Sequence, residues 1–199
     1  MAVFNKVTKD AIDNVQVNAG MILKSFNPTT PAAPEDDDIV CITTGGITAS
    51  CKPTTEDFGA DIDNCPANVK EMKRITEWVC TLSFTALNID AKTIQLALGA
   101  ASTIGNEVQA DMQIMNVYFQ DIWFVSEKVN DTIIAIKLSN ALSTGGFSLK
   151  TSKNAKGQLT VELTGHVSLA NPDKVPMSFF ICDPSGTALG TSYTFSDEP

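Results

Sequence analysis

The stretch "EWVCTLSFTALNIDAKTIQLALGAA", Glu77 to Ala101, decides the fold, because its hydrophobic period changes halfway along. Trp78, Cys80, Leu82 and Phe84 alternate with Val79, Thr81, Ser83 and Thr85, the two-residue repeat of a strand with one buried face. After Asn88 the repeat becomes helical, and Ala91, Ile94, Leu98 and Ala101 fall on one side of a helix. Asn88 or Asp90 can cap its start, and Gly99 is placed to end it. Leu96 lies off that face, free to meet a sheet rim or a second molecule. No other segment reads so plainly as helix, which here would cover apolar sheet surface.

Working outward, the pattern on both sides is one of strands. Downstream, "MNVYFQDIWFVS" (115–126), the turn "EKVND" and "TIIAIKLSNAL" form a predicted hairpin. "FSLKTS" follows Gly145-Gly146, "KNAKG" turns, and "QLTVELTGHVSL" (158–169) returns. "NPDK" then turns into "VPMSFFICD", and "PSG" turns again before the tail. Upstream, beyond an N-terminal arm at about 1–14, "VQVNAGMILKSF" (15–26) reads as a first strand. "NPTTPAAPEDDD" (27–38) is an acidic loop whose prolines withhold backbone donors. "IVCITTGGITASCKP" (39–53) holds two short strands, or one bent at Gly45-Gly46. Strands at this spacing predict a mainly β fold, two packed sheets in a sandwich or barrel-like single domain over 1–199, with one short flanking helix.

One segment resists this reading. From about 54 to 76, "TTEDFGADIDNCPANVKEMKRIT" has no clear period, and structureless segments of this length inside compact domains are usually functional or disordered. Phe58, Ile62 and Val69 argue against simple disorder. The segment is expected to be a long loop that docks on something, with Phe58 and Ile62 as apolar anchors.

Composition narrows the function classes. The 199 residues carry 14 basic and 23 acidic groups, a formal net charge of −9. Tight nucleic-acid binding needs a basic patch to displace counterions from phosphates, and the one close basic cluster is "KEMKR" at 70–74. An acidic surface past which DNA slides without sticking is compatible with the charge. No run approaches a membrane span. The opening "MAVFNKVTKDAIDNV" lacks an apolar signal segment, so synthesis and folding in a cytoplasm are expected.

The five cysteines, Cys41, Cys51, Cys65, Cys80 and Cys182, include no CxxC pair, so zinc-site spacing is absent. They read as buried, reduced, core-filling thiols. A cysteine nucleophile would want a histidine, and the single one, His166, falls on the polar face of the 158–169 strand with Thr160, Glu162 and Thr164. That face lies opposite Leu159, Val161, Leu163, Val167 and Leu169. Phosphate-binding loops, HExxH and GxSxG are missing. Asp61 and Asp63 sit in a polar loop, without the desolvation that acid–base work asks for. No catalytic residue, cofactor or metal is expected, and the residues alone lead to an acidic, non-enzymatic β protein.

Read together, "NAGMILKSFNP", "TTGGITASCKPTTEDFGADIDNCPANVKEMKRI" and "ALNIDAKTIQLALGAA" resemble the major tail tube proteins of long-tailed phages and prophages of Gram-positive bacteria. The likeness covers about residues 15–105 by motif, and the cysteine in the acidic loop is not part of it. It implies a sandwich-like monomer, six copies of which close into a ring whose inner sheets join as one barrel, with rings stacking into a tube that conducts DNA during ejection. Implied partners are further copies of the chain and the tape-measure, tail-terminator and distal tail proteins. DNA would pass without specific binding, the chain would not enter a membrane, and the protein would reside in the virion tail after assembly in the host cytoplasm. Subunit-interface candidates are Phe58, Ile62, Val69 and Leu96, and lumen-facing candidates are Thr160, Glu162, Thr164 and His166. Two other readings stand beside it: the inner tube of a contractile tail, tail-like bacteriocin or secretion system, and a β-sandwich binding protein.

Overall fold

The computed structural model describes residues 7–183. Part of the expected N-terminal arm and the tail beyond Asp183 lie outside the described residues. In chain order the elements are α1 (Lys9–Asp13), β1 (Met21–Leu23), β2 (Ile39–Cys41), β3 (Thr43–Asp57) and β4 (Lys73–Ala86). Then come α2 (Ala91–Leu98), β5 (Ala101–Ile104), β6 (Glu107–Ala110), β7 (Gln120–Glu127) and β8 (Ile133–Ser143). β9 (Ser148–Ser152), β10 (Ala155–Thr164) and β11 (Met177–Cys182) complete the set.

The protein is mainly β, as its alternating segments require. Nine strands are linked in one hydrogen-bonded sheet, while β5 and β6 form a separate small one. The large sheet folds over on itself into two layers. One layer is β2-β1-β7-β8-β11, and the other is β9-β10-β4-β3, all antiparallel. β8 belongs to both: it pairs with β7 and β11 along most of its length, then crosses to β10 at Leu142 and Ser143. The crossing follows Asn140, a non-glycine residue in the left-handed region at φ 48°.

The inward faces interdigitate as a single core. Ile22, Ile122, Phe124 and Leu138 come from the first layer, and Cys80, Leu82, Phe84, Leu159, Val161 and Leu163 from the second. Each fully buried Leu, Ile or Val here contributes roughly 1.5–3 kcal/mol of transfer free energy. Ile47, Ala49 and Cys51, on alternate positions of β3, pack on the edge of the same core. A smaller cluster of Leu23, Trp123 and Ala135 lies on the opposite face of the first layer, roofed by Phe26, Ile39 and Phe180.

The strand expected at 15–26 shortens to Met21–Leu23, with an isolated bridge from Gln16 to Lys128. Asn18 turns the chain before it: its Oδ1 accepts from Gly20 N at 3.1 Å and from Ser126 Oγ at 2.7 Å. Gly20 follows at φ +72°, where a Cβ would strike the Phe124 ring. The 39–53 segment combines both alternatives, since the chain breaks at Ile42 and β3 then bulges between Thr44 and Ile47, at Gly45-Gly46. Segment 27–38 carries no helix or strand, as expected.

Helix α2 starts and stops where the sequence indicates, but it buries a different face. Asp90 is the N-cap, with its carboxylate on Thr93 N at 2.8 Å, and Thr93 Oγ1 accepts in return from Asp90 N at 3.0 Å. That reciprocal capping box takes Thr93 into the interior, and Ala97 one turn later is also fully buried. Leu96, expected off the apolar face, packs against the core, whereas Ala91 is exposed. Gly99 closes the helix against β8, where Ser143 Oγ donates to Ala97 O at 2.6 Å and leaves no room for a side chain.

The largest correction concerns 54–76. Strands β3 and β4 run straight through both ends of it, pairing as far as Asp57 with Lys73, and the loop proper is 58–72. The last correction is at 158–169. β10 ends at Thr164, and beyond Gly165 the chain leaves the sheet, so Val167 and Leu169 are exposed rather than buried.

Candidate assembly surfaces

Three surfaces of this fold stand out by their chemistry. The first is the outward face of the β10-β4-β3 layer. Because β4 buries Cys80, Leu82, Phe84 and Ala86, it must turn Thr81, Ser83 and Thr85 outward. The pairing register sets these beside the outward residues of both neighbours. Thr164, Thr81 and Ser50 form one row across three strands, Glu162, Ser83 and Thr48 a second, and Thr160, Thr85 and Thr44 a third. Ser148 extends the third row onto β9. Every position in these rows is a hydroxyl except Glu162. Thr144 joins the margin, its Oγ1 2.9 Å from that of Thr164.

Of the four residues expected to share one polar face, Thr160, Glu162 and Thr164 do. His166 does not, because it lies beyond the end of β10. Its ring packs edge-on against Phe119 at 5.3 Å, and its Nδ1 donates to Asn140 O at 3.2 Å. The hydroxyls of β3 and β4 that complete the face are not ones the local sequence singles out. Their signal was present as the polar half of the alternation at 79–85, but the register that aligns them with β10 is a long-range property.

The second surface is the β3–β4 arm. Past the Cys51–Cys80 pair the two strands leave the body of the sheet, and Ile75, Trp78 and Val79 are exposed. The arm ends in a tied knob. Lys73 Nζ lies 3.0 Å from both Asp57 Oδ2 and Asn68 Oδ1, and Asp57 Oδ1 accepts from Gly59 N at 3.0 Å. Those bonds, led by Lys73, hold the Asp57 carboxyl below its usual range. Phe58 lies under the Arg74 guanidinium at 5.1 Å from the ring centroid. Phe58 and Ile62 remain about half exposed, at 44% and 50%. Val69 is half-buried in the knob. The candidates Phe58, Ile62 and Val69 thus all lie in the 58–72 knob, and Leu96 does not. It lines a cavity of about 350 Å³ between α2, β7 and β8.

The third surface is the side of β11 that pairs with no strand among the described residues, together with the small β5–β6 sheet. Phe179 and Ile181 are 62% and 57% exposed on the same face as the buried Leu138. Ile104, Met112, Ile114 and Val117 project from and beyond the β5–β6 hairpin. Apolar edges of this kind pair with something or aggregate.

Among the described residues no group of three or more His, Cys, Asp or Glu side chains converges as a metal site would require. No helix among them is long and apolar enough to cross a membrane. No family model matches the chain, and no curated protein sequence matches it.

Proposed function

We propose that this chain is a structural subunit that self-assembles into six-membered rings stacking as a phage-type tail tube, the conduit for DNA during ejection. The observation that carries this reading is the β10-β4-β3 layer, with one face packed into the apolar core and the other carrying three rows of hydroxyls with one carboxylate, Glu162, among them. Joined edge to edge with its copies, such a layer makes a barrel whose wall is sealed by the core and whose bore is wet, with Glu162 the one charge within the hydroxyl rows and Lys52 and Lys150 at their margins. Hydroxyls hydrogen-bond water readily and offer phosphate no fixed cation, so a polyanion moves past them without sticking. The edges at β3 and β9, unpaired among the described residues, and the apolar arm supply surfaces for neighbours in a ring and between rings. Tape-measure, tail-terminator and distal tail proteins are the further partners this role entails, and the virion tail its location.

Negative-stain microscopy and sedimentation velocity of the purified chain over a wide concentration range test the proposal. Rings or tubes of uniform bore, growing with concentration, are expected. A chain that sediments as a monomer throughout and stains as dispersed particles would overturn it.

A further inference from the structure

Cys51 and Cys80 are direct cross-strand partners in the β3–β4 ladder, and their Sγ atoms stand 3.0 Å apart. Directly opposed residues of an antiparallel pair hold their Cβ atoms about 4.5–5.5 Å apart, and a disulfide asks for roughly 3.5–4.5 Å. A shift of about 1 Å therefore brings the two sulfurs to bonding geometry. β3 can make that shift, since it is an edge strand with no ladder on its other side among the described residues. The other thiols are placed differently. Cys41 and Cys182 are buried in the opposite layer, and Cys65 lies in the knob against Pro66 O at 3.6 Å.

The pair sits at a boundary. On one side of it Leu82 and Phe84 are sealed in the core, and on the other Lys52, Pro53, Trp78 and Val79 are exposed as the arm departs. We propose that Cys51 and Cys80 are a redox-active dithiol, converted by a small-molecule disulfide into a cross-strand bond that staples the base of the arm.

The two thiols have unequal roles. Cys80 is fully buried, and that burial, reinforced by the contact with Cys51, raises its pKa well above the usual thiol range. Half-buried Cys51 is the accessible nucleophile. Its thiolate, having given its proton to water, attacks one sulfur of the external disulfide and expels one thiolate. Cys80 then loses its proton to solvent and attacks the Cys51 sulfur, expelling the second thiolate. Two protein S–H groups and one external disulfide become one protein disulfide and two external thiols. The staple closes residues 52–79 into a loop and restricts the unfolded chain. This chemistry is internal to one chain and independent of the assembly proposed above.

Oxidised glutathione at neutral pH is the probe, applied to the folded full-length protein and to the same protein in urea as a reagent control. The reaction is quenched with N-ethylmaleimide and followed by intact mass and peptide mapping. The native protein is expected to lose one hydrogen pair and to yield a Cys51–Cys80 linked peptide, faster at higher pH. Its Tm should rise by several degrees, reversibly with dithiothreitol. Cys51→Ser abolishes both changes, and Cys182→Ser abolishes neither. Both thiols still alkylatable in the native protein, while the urea control reacts, would overturn the proposal. So would Cys51 halted as a glutathione adduct, or a link that forms only in urea.

Discussion

Asn140 and His166 hold each other's backbone: Asn140 Nδ2 donates to His166 O at 2.9 Å, and His166 Nδ1 donates to Asn140 O at 3.2 Å. A third bond, His166 N to Ser139 O at 3.3 Å, ties the same two segments. This knot sits where β8 passes from one layer to the other. Asn140→Ala removes the side-chain bond and places a Cβ-bearing residue without Asn's local hydrogen bonding in the left-handed region. It is expected to cost about 2 kcal/mol in urea unfolding. Asn140→Gly loses the bond but tolerates φ 48°, and should be the less damaging change by about 1 kcal/mol. Equal losses would mean that the backbone angle contributes nothing.

Asp90 gives a pH-dependent effect of known sign. Hydrogen bonds from the Thr93 hydroxyl and amide hold its carboxyl below the ordinary value of 3.8. A folded pKa below the unfolded one stabilises above the unfolded value and fades as pH falls through the folded one. Asp90→Ala should therefore cost about 1 kcal/mol at neutral pH, with the gap to wild type narrowing below about pH 4. Asp90→Ser should recover most of the cap with no such acid dependence. A gap that stays constant into acid would show that the carboxylate charge is irrelevant.

The arm should be separable from the fold. Asp57 and Lys73 are directly paired, so residues 58–72 can be replaced by Asn-Gly, a two-residue turn suited to closing an antiparallel hairpin. The shortened chain is expected to melt within a few degrees of wild type, because the excised residues contribute nothing to either hydrophobic cluster. It is expected to stop short of tubes. Tubes of ordinary length and yield from this variant would remove the knob from the contact surface.

Glu162 is the informative position on the hydroxyl face. Being exposed, Glu162→Lys should change monomer stability by no more than about 0.5 kcal/mol. If that face lines the bore, the repeated positive charge should slow DNA ejection at low salt, and added salt should restore it. Unchanged ejection at low salt through tubes of normal shape would put the face on the outside.

Some of this fold could be read directly and some could not. Cys80, Leu82 and Phe84 alternate because both layers are present to bury one side of β4, and the same alternation picks out Leu159, Val161 and Leu163. Toward the start of β4 the facing layer ends. Trp78 is exposed there although it continues the apolar series, and the arm strands, wetted on both faces, have no period to find. That is why these two strand ends carry no strand signal in the sequence. The buried helix face differs from the apolar one because Thr93 counts as polar, yet its hydroxyl is consumed by Asp90 and the backbone, which lets it be buried. Likewise His166 follows the parity of β10 but not its path, since Gly165 ends the strand. Local chemistry wrote the elements, whereas the rows of hydroxyls depend on a register between residues far apart in the chain.

That separation has a kinetic side. Leu82 must find Leu163, with α2, the small hairpin and most of the first layer synthesised in between. The β3–β4 hairpin can zip from its own turn, but its inner edge then waits, unpaired and backed by Leu82 and Phe84, for β10 to arrive. Such non-local closure is slow, and the waiting edge is a template for the wrong strand. Pulse-labelled hydrogen exchange during refolding should find the β4 amides bonded to β3 protected before those bonded to β10. Simultaneous protection of both sets would mean instead that the layer forms in one concerted step.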